Sequence, residues 1–346
     1  MLLNHRGLTG SILLAGLALC ASIGLSGCGK SDQASNSTPG AAPTRNIAVI
    51  GKTTVNAYWK AVEAGADQAG KELNVNIIWD GPDAETNHSQ QADMVDNMVN
   101  RGVSGIVLAP TNYEALVRPV ESAVARGVPV VLIDSTLHSD KPICVVATDN
   151  EAAGAEAADA LIKAMGSNLK FGGKVIVLRF LEGSGSTEAR EKGFIDRITQ
   201  TPGLSVADAV YTKGTGSTTD AADTADALLR RYSQNNVLQV DGIFASNQPT
   251  AIGMLDTLNK FKAQGVQITA PYVGFDAHEV LLKGVRDGDI AALVVQDPKG
   301  MGYKGVKTMV DYLNGVKVPS SIPTAAVTVT KDNIDSPEIK KVTLEN

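Results

Sequence analysis

The sequence predicts an α/β protein built as two doubly wound parallel-sheet lobes joined by a hinge. Three observations predict it. From residue 45 onward, short β-rich apolar runs alternate with amphipathic stretches of helical period, the pattern of βαβ units and parallel sheets. The runs form two groups, one ending near "VVATDN" (145–150) and one beginning near "GKVIVL" (173–178). Each group spans about a hundred residues, the size of a domain. The polar segments "TDN" (148–150) and "QDP" (296–298) read as crossovers between the groups, and lobes joined by several short strands behave as a hinge.

The elements follow in order. Residues 1–27 pair a short head carrying Arg6 with the apolar, small-residue run "LTGSILLAGLALCASIGLSG", the layout of a secretory signal peptide. The run ends in "LSGC" (25–28), which resembles the lipobox of bacterial lipoproteins. That resemblance implies cleavage before Cys28 and lipid on its thiol and amino group. The alternative is an uncut transmembrane anchor, disfavoured because Gly and Ser interrupt the run. Residues 28–44, rich in Ser, Gly, Ala, Pro and Asn, have almost nothing to bury and read as a flexible tether. Then come the strand "NIAVI", a helix over 57–72, "VNIIWD", a helix over 86–101, "GIVLA", a helix over 114–126 and "VPVVLID". The second group runs through "GKVIVLRF", "VADAVY", "VDGIFAS", "APYVGFD" and "AALVVQD", each followed by a helical stretch.

Composition narrows the function. Among 346 residues the formal net charge is -6, which argues against a nucleic-acid partner and against holding anionic lipid by charge. Of 3 cysteines, Cys20 lies in the leader and Cys28 at the lipobox, so Cys144 is alone in an apolar run and reads as a buried, inert thiol. No Walker-type loop, HExxH or GxSxG appears. His5, His88, His138 and His278 make no metal-ligand pairs, and Asp83 and Glu85 in "DGPDAE" lack the spacing of a calcium loop and read as a solvated turn. The expectation is a protein with no enzymatic activity, no cofactor and no metal site.

In open α/β sheets, ligands bind beyond the carboxyl ends of the strands. The residues there are Lys52, Asp134, Arg179, Asn247, Asp276 and Gln296, drawn from both halves. Each can make several hydrogen bonds, which suits a neutral polyhydroxylated ligand. Tyr58 and Trp59 in "VIGKTTVNAYWK" (49–60) would form a stacking wall for the C–H face of a sugar, although either one alone could simply fill the core. Any single Asp or Asn after a strand is more often a helix cap than a ligand contact, so the reading rests on the set.

At these residues the chain resembles the ribose-binding type of periplasmic sugar-binding proteins of ABC importers, over nearly all of 45–330. The resemblance is carried by "NAYW" (56–59), "GVPVVLID" (127–134), "ATDN" (147–150), "STEAREKGF" (186–194), "DGIFASNQPTAIGML" (241–255), "VGFDA" (273–277) and "AALVVQDPKGMGYKGV" (291–306), in that order. It implies the type I periplasmic-binding-protein fold and ligand contacts at Asn56, Tyr58, Trp59, Asp134, Arg190, Asn247, Asp276 and Gln296. There are departures. Ala57 replaces a Pro, Ser135 stands where ribose binders have Arg, and "TKGTGSTTDA" (212–221) lacks that loop's aromatic. Lys52, Ser135 and Arg179 are secondary candidates, and the "VLRFLEGSGS" segment (177–186) is where compensation is expected. Lys52, Arg179 and Arg190 would tolerate an anionic substituent.

The expected division is an N-terminal lobe of 45–149 plus 297–325 and a C-terminal lobe of 150–296 plus 326–346. The function implied is a monomeric, lipid-anchored solute-binding protein on the extracytoplasmic or periplasmic face. It would capture a sugar or polyol in the interlobe cleft and deliver it to an ABC permease. Presentation of the ligand to a chemoreceptor or histidine kinase is the alternative, since no sequence motif reads out the partner. A sugar-responsive repressor is discarded, because a leader and tether stand where its helix-turn-helix would be.

Overall fold

The computed structural model describes residues 45–166 and 172–343. The expected signal peptide, Cys28 and tether lie outside the described residues. The first run of elements is β1 (Asn46–Ile50), α1 (Ala57–Leu73), β2 (Asn76–Asp80), α2 (His88–Asn100), β3 (Gly105–Leu108), α3 (Val117–Ala125), β4 (Val130–Ile133) and β5 (Cys144–Thr148). The chain continues through α4 (Asn150–Met165), β6 (Gly173–Arg179), α5 (Gly185–Thr199), β7 (Leu204–Tyr211), α6 (Thr218–Tyr232), β8 (Ser233–Gln234), β9 (Val237–Leu238), β10 (Gly242–Ala245), α7 (Gln248–Ala263), β11 (Tyr272–Phe275), α8 (Glu279–Asp287) and β12 (Ala292–Gln296). It ends with α9 (Pro298–Leu313), β13 (Ser321–Thr324), β14 (Ala326–Val329) and α10 (Pro337–Thr343).

Two six-stranded sheets result. The first has the order β13-β5-β4-β3-β1-β2 and is parallel throughout. The second has the order β14-β12-β11-β10-β6-β7, with only β14 antiparallel. Alternate residues of each strand feed opposite faces. Ile47 and Val49 pack toward α1 and α9, whereas Ala48 and Ile50 pack toward α2 and α3. In the second sheet Ile176 and Leu178 face α6, α7, α8 and α10, and Val175 and Val177 face α4 and α5. Strands buried on both faces need apolar residues at every position, which is why the sequence shows continuous runs such as "NIAVI" rather than alternation.

The chain passes between the sheets at Asp149, at Asp297 and between Thr324 and Ala326. In β13, just before the third passage, Pro323 removes a ladder donor. β13 tolerates that proline because it is an edge strand. The three passages are tied together: the Thr148 hydroxyl donates to Gln296 Oε1 at 2.9 Å and lies 3.2 Å from the Thr324 hydroxyl.

Two helix pairs approach backbone to backbone, α1 with α9 and α4 with α5. A Cβ at Gly154 of α4 would lie 1.9 Å from the carbonyl oxygen of Arg190, so only glycine permits the approach that seats α5.

Candidate functional site

The carboxyl ends of strands from both sheets meet at one cavity. From the first lobe it is lined by Lys52, Asn56, Tyr58 and Trp59 around the β1–α1 turn, Glu85 after β2, and Asp134 after β4. From the second it is lined by Phe180, Ser184, Ser186, Thr187 and Arg190 of the β6–α5 segment. Asn247, Gln248 and Pro249 at the start of α7 and Asp276 after β11 complete that side, and Gln296 lies at the crossover. All eight residues expected from the resemblance therefore line one space.

Both asparagines cap helices and also border the cavity. Asn56 Oδ1 accepts from Trp59 N at 3.1 Å, and Asn247 Oδ1 accepts from Thr250 N at 3.2 Å, each satisfying a helix N-terminal N–H. Their amide NH₂ groups have no protein partner among the described residues. Arg190 is 2% exposed, with its guanidinium 3.6 Å over the Phe275 ring. It donates to Ser246 O at 2.7 Å and to Asn150 Oδ1 at 2.8 Å, and its Nε is a buried donor without a partner. A buried unpaired donor is costly, and a ligand oxygen would satisfy it.

The two strand-end aspartates differ. Asp276 accepts from Gln248 N at 3.0 Å and Gln296 Nε2 at 2.8 Å. Burial pushes its carboxyl above the usual range, against the pull of Arg190. Asp134 is engaged by four donors: Lys52 Nζ at 2.7 Å, the Tyr58 hydroxyl at 2.9 Å, and the Ser135 and Ser186 hydroxyls at 3.0 and 3.1 Å. Burial, the largest influence, would raise it, but Lys52, Arg190 and the Tyr58 hydroxyl together outweigh that and hold it below the ordinary value.

Several of these bonds join the lobes. Lys52 reaches Ser186 Oγ at 3.0 Å and Ser184 Oγ at 3.3 Å, Ser186 N donates to Ser135 Oγ at 3.0 Å, and Tyr113 N donates to Gly183 O at 3.0 Å. The lobes are closed on each other at this edge of the cleft.

Tyr58 and Trp59 both border the cavity, edge to face with ring centroids 5.1 Å apart. Trp59 is also core, 2% exposed, so the wall and the core reading hold together for it.

Three readings change. Ser135 lies behind Asp134 and bonds to it rather than bordering the cavity. Arg179 is also outside the lining. Its Nε donates to buried Glu191 at 2.7 Å and its guanidinium lies 3.8 Å over the Tyr211 ring. The "VLRFLEGSGS" segment instead brings Ser184, Ser186 and the neighbouring Phe180, an aromatic from the second lobe, to the cavity. A Cβ at Gly216 would come within 2.8 Å of Phe180, so the loop lacking an aromatic leaves room for this one. Glu85 is not a solvated turn residue: it lines the cavity and accepts from Trp59 Nε1 at 3.2 Å. Nothing in its local spacing distinguishes it; only the position after a strand end could have found it.

The model of the periplasmic binding protein domain family matches residues 47–317. The chain belongs to the periplasmic binding protein family. This family member is 29% identical over 273 residues to the ribose import binding protein of Bacillus subtilis, covering 78% of this chain and 82% of that one. It is 26% identical over 333 residues to the xylitol-binding protein of Mycolicibacterium smegmatis, covering 96% and 88%. Among solved structures it resembles an ABC transporter solute-binding protein of Agrobacterium vitis with bound D-fucose, with 38% identity, a TM-score of 0.78 and coverage of 86% and 99%. It also resembles a carbohydrate transporter solute-binding protein of Agrobacterium radiobacter in complex with D-arabinose, with 34% identity, a TM-score of 0.80 and coverage of 88% and 100%. The periplasmic binding protein fold accounts for the two sheets and the crossed connections. Among the described residues, no helix is long and apolar enough to cross a membrane.

Proposed function

We propose that this protein captures an uncharged sugar or polyol between its two lobes and delivers it to an ABC import permease. One observation carries the reading: a buried cavity, lined from both lobes, holds aromatic faces beside polar groups with unmet hydrogen-bonding capacity. Asn56, Asn247 and Arg190 supply donors, Asp276 and Gln296 supply acceptors, and Trp59, Tyr58 and Phe180 cover the apolar faces of the ligand. Asp134 and Lys52 act chiefly in closure, since their bonding capacity is taken up by each other and by Ser186. The resemblance to proteins that bind ribose, xylitol, D-fucose and D-arabinose supports this class of ligand. It performs no reaction and works as a monomer.

Cys28 carries the lipid that keeps the protein near its permease, on the evidence of the "LSGC" segment. Metabolic labelling with a fatty acid should mark the wild type and not Cys28→Ala; equal labelling of both would contradict the lipid assignment. The ligand reading is tested by calorimetric titration with D-ribose, D-arabinose, D-fucose and xylitol. One of them should saturate a single site per chain, and failure of all four to bind would contradict the reading.

A further inference from the structure

The cavity contains a third carboxyl whose role the strand-end aspartates do not explain. Glu85 borders it from the β2–α2 loop. Its Oε1 accepts from Trp59 Nε1 at 3.2 Å, and its Oε2 has no protein partner among the described residues. The charged groups acting on it are Lys52, Asp134 and Asp276. Burial raises the carboxyl above its ordinary value, with Lys52 pulling the other way.

Lys52 is the cation at this end, and it is not free to meet a ligand. An ammonium has three donors. Here they are matched by Asp134 Oδ2 at 2.7 Å, Ser186 Oγ at 3.0 Å and Ser184 Oγ at 3.3 Å. Of the other cations expected to accept an anionic group, Arg179 is held by Glu191 outside the cavity, and Arg190 lines the cavity but is not among the main charges acting on Glu85.

We propose that Glu85 is a specificity-determining residue: it accepts a hydroxyl of the ligand and excludes ligands carrying an anionic group at the Trp59 end of the cavity. The inference rests on the reading of this cavity as a sugar or polyol site. A hydroxyl placed beside Oε2 donates to it. Where Glu85 is ionised, a carboxylate or phosphate placed there meets a like charge, with the local ammonium already engaged. Like charges brought together disfavour the anionic ligand, and specificity of this kind comes from the repulsion as much as from the attraction.

The test is calorimetric titration of the full chain and its Glu85→Gln variant with D-ribose, D-arabinose and D-fucose, each alongside its aldonate. Glutamine keeps a carbonyl oxygen for Trp59 Nε1, so a purely structural role for Glu85 would survive the change. The wild type should bind the neutral sugar and discriminate against its aldonate. The variant should lose at least about tenfold of that discrimination, while its affinity for the neutral sugar changes less. Glu85→Ala, which also removes the charge, should show the same relief with a larger loss of neutral affinity. An unchanged ratio of neutral to anionic binding in both variants would overturn the inference and leave the sugar reading standing. Absence of binding by all three neutral sugars to the wild type would overturn both.

Discussion

Asp134 and Asp276 stand at the third strand of their sheets, β4 and β11, and both have left-handed backbone, φ 65 and 67°. Asp and Asn tolerate this conformation better than other residues with a Cβ. The matched backbone carries opposite electrostatics, because only Asp134 has an ammonium bonded to it. The linkage therefore has opposite signs. Asp134, depressed below its ordinary value, contributes stability above the unfolded carboxylate pKa and loses it as pH falls through the folded one. Asp276, raised by burial, contributes stability that is complete below the unfolded pKa and is lost as pH rises through the folded one. Asp276→Asn keeps the backbone and removes the buried charge. The ligand-free variant should gain in Tm relative to wild type as pH rises from about 4 to about 8; a difference independent of pH would contradict the assignment. Its ligand affinity should fall roughly 10- to 100-fold, the value of a charge-assisted hydrogen bond.

At the scale of elements, the site depends on how α4 and α5 meet. Gly154 lets the two backbones touch at Arg190, and Glu191 next along α5 is buried and accepts from Phe180 N at 2.9 Å and the Ser246 hydroxyl at 2.7 Å. This fixes the β6–α5 and β10–α7 turns against each other, and with them Arg190 and Asn247. Gly154→Ala should cost about 1–3 kcal/mol and weaken ligand binding by displacing Arg190. Thermal unfolding and titration together check it; normal affinity in a destabilised variant would separate the helix packing from the site. The helices and strands were legible because buried parallel strands are uniformly apolar and their covering helices are periodic. The expected starts at 86 and 114 fell short of the observed His88 and Val117, since turn residues before each helix carry part of the same pattern. The strand-end residues were legible because their place follows from the strands. Glu85, Phe180, Ser184 and Ser186 were not, because they become neighbours only when loops from separate strands and lobes meet.

At the scale of the molecule, two sets of bonds govern closure. The hinge is laced by Thr148, Gln296 and Thr324, and Gln296 passes the connection to Asp276 inside the cavity. The opposite edge is joined by Ser186, which bonds Lys52, Asp134 and Ser135 across the lobes. A closed form held partly by such direct bonds traps the ligand, so their loss acts mainly on release. Ser186→Ala should speed ligand dissociation by roughly 3- to 30-fold, taking about 1–2 kcal/mol for the bonds lost, with a smaller change in association. Stopped-flow fluorescence of Trp59 would read both rates, and an unchanged dissociation rate would remove Ser186 from the closure account.

The central claim is that a neutral sugar or polyol sits between the lobes on Asp276 and its neighbours. Thermal unfolding of the wild type and Asp276→Asn, side by side, with D-ribose, D-arabinose, D-fucose and xylitol tests it most directly. A ligand at 1,000 times its dissociation constant stabilises the native state by about 4 kcal/mol. The account predicts a rise of several degrees in wild-type Tm with at least one of these compounds, and a much smaller rise at the same concentration in the variant. No rise with any of them, or an equal rise in both proteins, would contradict it.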